Sequence, residues 1–196
     1  FYPYPPHFIE LSIDIMSGLR RAAPGVMRQL GGSNRTIIKQ AYEMLVSDRT
    51  DFASRNIGEL VTLDQIYELV EGNFEDEKKK DIGDIEQRFG GSESWEARTA
   101  KAIALLELVR DLPRTSSNLA ACLVDAVGEP APTQEVEDAL TKLQDANFVG
   151  QTEEGWKLRT AQEKNWETER KRHLDPTPRD RNDILREMLD DIFSEP

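Results

Sequence analysis

Apolar residues recur at helical spacing along most of this chain. Phe8, Leu11, Ile15 and Leu19 stand at i, i+3, i+7 and i+11, which predicts a helix over 7–22 with one apolar face, broken at Pro24-Gly25. A second helix is predicted from Arg35 to Val46, with Ile38, Tyr42 and Leu45 or Val46 as its stripe. Thr62-Leu63-Asp64-Gln65 is a capping-box signature, and Ile66, Leu69 and Val70 carry a short helix on to Gly72. The charged stretch Glu75 to Phe89 keeps Ile82, Ile85 and Phe89 in helical register and stops at Gly90-Gly91. Within it, Lys78-Lys79-Lys80 reads as a solvated face.

Beyond Gly90-Gly91 the pattern changes. Ser92 is placed to cap a long helix through Asp111, carrying Trp95, Ala102, Ile103, Leu105, Leu106 and Val109 and ended by Pro113. Thr115-Ser116-Ser117 opens a helix with Leu119, Cys122, Leu123 and Val127, closed at Gly128-Glu129-Pro130. Thr133 caps another with Val136, Leu140 and Leu143 at i, i+4 and i+7. Two short β runs, Phe148–Gln151 and Trp156–Arg159, flank Thr152-Glu153-Glu154-Gly155, a hairpin signal. Three helices followed at once by a hairpin is the element order of a winged helix. From Ala161 the chain is charged helix again, broken at Pro176 and Pro178, and a last helix carries Ile184, Leu185, Met188, Leu189 and Ile192. That apolar face implies a partner, within the chain or outside it. The predicted fold is mainly α: a helical bundle over 1–90, a winged-helix domain over 91–160 and charged C-terminal helices over 161–196.

Composition narrows the chemistry. The chain has 196 residues, 38% hydrophobic and 32% charged, with a formal net charge of −12. Such a balance suits a helix-rich protein with long charged faces and argues against a general electrostatic grip on nucleic acid. No apolar run reaches the ~18 residues of a membrane span, and the aromatic, proline-rich start is no signal peptide. With one cysteine, Cys122, there is no disulfide framework, and cytoplasmic residence is the simplest expectation. The opening lacks an initiator Met and looks like mid-protein sequence, so a piece of something longer is expected. Across residues 1–60, seven basic side chains balance six acidic ones, which makes this third the place where an anion would be tolerated.

The run Gly31-Gly32-Ser33-Asn34-Arg35-Thr36-Ile37-Ile38-Lys39 carries the most specific chemistry. Two glycines permit close backbone approach, Ser33 or Asn34 can cap the orphan amides, and Arg35 stands on the first turn. That geometry allows two outcomes: a plain cap with a solvated or ion-paired arginine, or a phosphate oxygen held by the amides and the guanidinium together. Elsewhere no phosphate loop, no dinucleotide fingerprint and no nucleophile with a histidine partner occurs, and His7 and His173 lack the spacing of a zinc site. An enzyme is not expected from this chain alone. The helix from Thr133 to Asn147, where a winged helix would read DNA, holds Glu135, Glu137, Asp138 and Asp145 against Lys142 alone, and Glu153-Glu154 makes the wing tip acidic. Protein docking fits that charge better than major-groove insertion. The other route to nucleic acid is Arg170-Lys171-Arg172 beside Trp166, unless that run is only a charged helix surface.

Taken in order, Tyr4-Pro5-Pro6-His7, a bundle containing the Gly-Gly-Ser-Asn-Arg-Thr run and then a winged helix resemble the C-terminal half of an AAA+-type P-loop ATPase of the origin-initiator kind. More narrowly, the chain is similar to the very large P-loop ATPases of BREX phage-defence systems. The resemblance covers most of residues 1–160 and is sharpest from Gly31 to Val46. It implies that Arg35 is the second sensor of a lid, reaching the γ-phosphate of ATP bound by a preceding core, with Thr36 and Lys39 near it. It implies no cofactor in this chain itself, ATP in the parent protein, and the remainder of that ATPase as partner. A further partner would meet the winged helix or the C-terminal helix. Two rivals from other classes stand beside it: a winged-helix transcription regulator that binds DNA, and an adaptor that docks proteins.

Overall fold

In the computed structural model, residues 2–22, 33–47, 50–173 and 178–193 are described. The architecture is mainly α, with one short antiparallel hairpin. Residues 1–158 and 159–196 form two compact units. In the first unit, helix α1 (Phe8–Ala22) buries Phe8, Leu11, Ile15 and Leu19, the four residues its spacing singles out, together with Met16. Gly18 sits on this face because a Cβ there would stand 2.4 Å from the Leu108 carbonyl oxygen.

Helix α2 spans Ser33–Val46, starting two residues before the predicted Arg35. Its expected stripe is turned the other way. Ile38, Tyr42 and Val46 are exposed, Met44 is buried and Leu45 partly so. Each side of the helix carries apolar residues at helical spacing, and the neighbouring helices cover only the Met44 side. Helix α3 (Leu63–Val70) begins as expected at Thr62, whose N–H donates to Gln65 Oε1 at 3.3 Å, and buries Leu63, Ile66, Tyr67 and Val70. Helix α4 (Asp76–Phe89) buries Ile82 and Ile85 and ends at Gly90, whose left-handed φ of 97° closes the last turn.

Helix α5 (Trp95–Leu106) is the centre of this unit. Every residue from Glu96 to Leu106 is buried, charged ones included. Its cap is Ser94, whose Oγ accepts from Ala97 N, rather than the predicted Ser92. It stops at Leu106, short of the expected Asp111: Leu108 and Val109 tighten into i→i+3 bonds and Asp111 turns left-handed at φ 60°. Helix α6 (Ser116–Ala121) is also shorter than its pattern suggests. Beyond it the backbone pairs with another segment, Leu60 N donating to Asp125 O and Val127 N to Gly58 O, so Val127 is exposed rather than helical core. Helix α7 (Thr133–Asp145) buries Val136, Leu140 and Leu143 as expected, although Pro132, not Thr133, is its cap residue.

Strands β1 (Val149–Thr152) and β2 (Gly155–Leu158) pair antiparallel with Thr152 opposite Gly155, leaving Glu153 and Glu154 as the turn. Arg114 completes the wing as a one-residue third strand. Its N–H donates to Glu154 O, its carbonyl accepts from Trp156 N, and Gly155 (φ 100°) leaves no room for a Cβ against Arg114 O at 2.4 Å. Helices α5, α6 and α7 with this hairpin make the winged helix. In the second unit lie α8 (Ala161–His173) and α9 (Pro178–Phe193). No helix among the described residues is long and apolar enough to cross a membrane.

Candidate functional site

Arg35 and Thr36 lie on the first turns of α2, but their side chains, like the Gly31-Gly32 loop before them, fall outside the described residues. Lys39 is described: it is exposed and stands 3.4 Å from Glu43, one turn on. By helical spacing, position 35 precedes Ile38 by three residues and Tyr42 by seven, on the side of α2 where those two and Val46 are exposed. The α2 face that sequence assigned to the core is therefore a bare apolar row beginning beside the arginine position.

The winged helix is held to α3 and α4 by ionic contacts that radiate from α5. The Arg98 guanidinium donates from Nε to Asp64 Oδ2 on α3 (3.2 Å) and grips Asp125 with both Nη atoms (3.1 and 2.5 Å). Its Cζ lies 4.5 Å over the Trp95 ring. Burial alone would lower its proton affinity, but the two carboxylates outweigh that and hold it above the usual arginine range. Lys101, only 1% exposed, donates to Glu68 of α3, to Glu86 of α4 at 2.7 Å and to Ser92 Oγ at 2.7 Å. Those acids likewise overcome desolvation and raise its pKa. Glu107, just past α5, receives Lys78 of α4 on one oxygen and Leu158 N–H (2.7 Å) on the other. Lys78 is thus an anchor, not the solvated charge that its run suggested. Glu96 is buried and pairs with Lys142 of α7 at 2.6 Å. Four charged positions in and just beyond one buried helix thereby tie it to both sides of the unit.

On the outer side of the winged helix, Glu135, Glu137, Asp138 and Asp145 are exposed along α7, and Glu153 and Glu154 tip the wing. Lys142, the lone cation of α7, is already engaged by Glu96. In the second unit, Arg170 lies 2.7 Å from Glu167 and Arg172 2.6 Å from Glu169. Two of the three charges of the Arg170-Lys171-Arg172 run are therefore matched on their own helix, while Trp166 is exposed. The Arg170 guanidinium also draws the Glu167 carboxyl below its ordinary pKa.

Sequence reasoning left His7 and Cys122 far apart, yet both line one cavity of about 320 Å³ with Leu11, Asp14 and Leu112. Burial pushes the Cys122 thiol up to about 12, so it stays protonated and a poor nucleophile. Burial also lowers the His7 pKa. Among the described residues, no group of three or more His, Cys, Asp or Glu is arranged to hold a metal ion. No family model matches the chain, and neither curated proteins nor solved structures give a match.

Proposed function

We propose that this chain is the non-catalytic bundle and winged-helix portion of a larger cytoplasmic P-loop ATPase, of the kind found in BREX phage defence. Its task is to relay nucleotide state at α2 to a protein partner engaged by the winged helix. The observation that carries this is the bare row Ile38, Tyr42 and Val46 on the helix that bears Arg35. Three large apolar residues in line on one helix mark a surface that another folded body covers. A nucleotide-binding core seated on that row brings bound phosphate to the first turn of α2, where free amides and an arginine favour an anion. Such an arginine acts where charge develops on the transferred phosphoryl group.

The ties from α5 supply the relay. A bundle displaced by nucleotide carries α7 with it through α5: Arg98 and Lys101 tie α5 to α3 and α4, Glu107 joins α4 to β2, and Glu96 meets Lys142 of α7. The acids on α7 and on the wing favour a protein partner over DNA, since each unpaired carboxylate facing a phosphate repels it.

The test uses the full-length protein encoded by the open reading frame. Upstream of Phe1 that frame is expected to carry a phosphate loop and an acidic magnesium-binding strand. Arg35→Ala is expected to slow ATP turnover by about 10²-fold with ATP binding retained. A frame without the loop, or an Arg35→Ala protein with unchanged turnover, overturns the proposal.

A further inference from the structure

The cavity of about 320 Å³ that His7 and Cys122 share opens where α5 has ended at Leu106. There the chain, left-handed at Asp111, crosses the α1 face that carries Glu10, Leu11 and Asp14. Further along that face Gly18 lies against Leu108, and Arg21 donates to the Leu108 carbonyl at 3.3 Å, so the crossing segment is fixed to α1 beyond the cavity. The apolar lining is Leu11, Val109, Leu112, Ala121 and Cys122. Cys122 is 5% exposed, and its thiol makes no hydrogen bond among the described residues. Around this lining stand Glu10, Asp14 and Asp111, exposed carboxylates with no ion pair among the described residues. Against them is one guanidinium, Arg110, while His7 is neutral at pH 7 because burial lowers its pKa from an ordinary 6.5. Val109 to Leu112 also line a second cavity, of about 570 Å³. In its lining Glu107 and Glu154 are matched by Lys78 and Arg114, whereas Glu153 of the wing is not. The rim of an apolar cavity is thus negative, and the negative charge continues toward the wing.

We propose that this cavity docks an extended segment of a partner protein in which one apolar side chain is flanked by arginines two residues away on each side. In an extended chain, positions i, i+2 and i+4 point the same way. The central side chain fills the cavity against Leu11, Leu112 and Cys122, and the arginines lie over the rim toward Glu10, Asp14 and Asp111. Arginine suits this rim better than lysine, since its planar fork takes two carboxylate oxygens and it is more weakly hydrated. A volume of 320 Å³ stands at the small end of ligand sites, about 300–1,000 Å³, which suits a single side chain and its backbone. An acidic segment or a nucleic acid would bring like charge to the rim. The docking site goes beyond the relay and does not rest on the nucleotide reading, because ATP turnover plays no part in its test.

The probe is the acetylated, amidated peptide Arg-Ser-Leu-Ser-Arg, titrated into the full 196-residue chain at low salt and followed by the NMR signals of its two histidine rings. The His7 signals are expected to move with a Kd of about 10⁻⁴ M, while those of His173, in the other unit, stay in place. Replacing both arginines by citrulline, which keeps the shape without the charge, weakens binding about tenfold, as does replacing the leucine by serine. The variant Glu10→Gln/Asp14→Asn/Asp111→Asn gives a similar loss; asparagine tolerates the left-handed φ of 60° at position 111. Ala121→Leu, at an exposed position on the last turn of α6, blocks the cavity and abolishes binding with the carboxylates intact. A His7 signal unmoved at about 2 mM peptide overturns the proposal. So does binding that survives Ala121→Leu, or a citrulline peptide that binds as well as the arginine one.

Discussion

Replacing Arg98 by methionine tests whether buried charge holds the winged helix to the bundle. Methionine keeps much of the aliphatic stem and removes the guanidinium. Asp125 is about half exposed on its side chain and can be rehydrated at small cost. Asp64 cannot: it is 6% exposed, its Oδ2 loses Arg98 Nε, and its Oδ1 has no hydrogen-bond partner. Removing one member of a buried pair costs about 3–5 kcal/mol, nearly all of it the carboxylate left uncompensated. The cation–π contact with Trp95 adds about 0.5–1 kcal/mol. In a unit of this size that corresponds to a fall in Tm of roughly 10–18 °C. Urea unfolding of the wild type, Arg98→Met, Asp64→Asn and the double variant closes a cycle, with a coupling energy of about 2 kcal/mol or more expected. Native-state hydrogen exchange should show α7 and α3 losing protection together in the wild type. An Arg98→Met cost under about 1 kcal/mol, or a coupling within the ~0.5 kcal/mol of additive sites, would refute the assignment.

Cys122 predicts an alkaline limb. Its thiol ionises near 9.0 when unfolded and at about 12 when folded. The stabilisation is therefore complete below pH 9 and declines by about 1.4 kcal/mol per unit above it, as the unfolded chain loses its proton first. Cys122→Ala should remove its share of the decline between pH 9 and 10, measured by urea midpoints, leaving the smaller share of Tyr4 and Tyr67, whose pKa values burial also raises. Gly155→Ala should destabilise by about 2–4 kcal/mol in thermal melts, because it combines φ 100° with a Cβ 2.4 Å from Arg114 O. Gly18→Ala should destabilise despite better helix propensity, since the added Cβ meets Leu108 backbone and Cβ, which cannot swing aside as a side-chain tip can. Fluorescence anisotropy with a duplex at physiological salt should show affinity no tighter than the ~10⁻⁴–10⁻⁶ M of non-specific binding. A tight, salt-sensitive complex would point to the regulator instead.

Where one face of a helix is apolar and the other charged, the sequence was enough. The buried rows of α1 and α7 and the order of helices before the hairpin were all legible. On α2 it was not. Ile38, Tyr42 and Val46 make one apolar row and Met44 with Leu45 another, and nothing local says which a neighbour will cover. The polar residues of α5 were illegible for a related reason. Glu96, Arg98 and Lys101 look like a solvated face until partners 27 to 46 residues away fold against them. The end of α6 was hidden in the same way, by backbone pairing between 58–60 and 125–127.

The burial of α5 changes what the acidic winged helix can do. A winged helix on a flexible tether can rotate to offer whichever face suits a ligand, but one whose first helix is also the core of the neighbouring bundle cannot. Trp95 to Leu106 is shared between the two bodies, with Glu68, Glu86 and Asp64 on one side and Lys142 and Leu158 on the other. The face presented by α7 is therefore set by the position of the bundle. Parting such a joint is costly, because separating a buried pair leaves a charge without its partner. The same rigidity means that anything displacing α3 or α4 must either move the acidic face or break charges that are costly to leave unpaired.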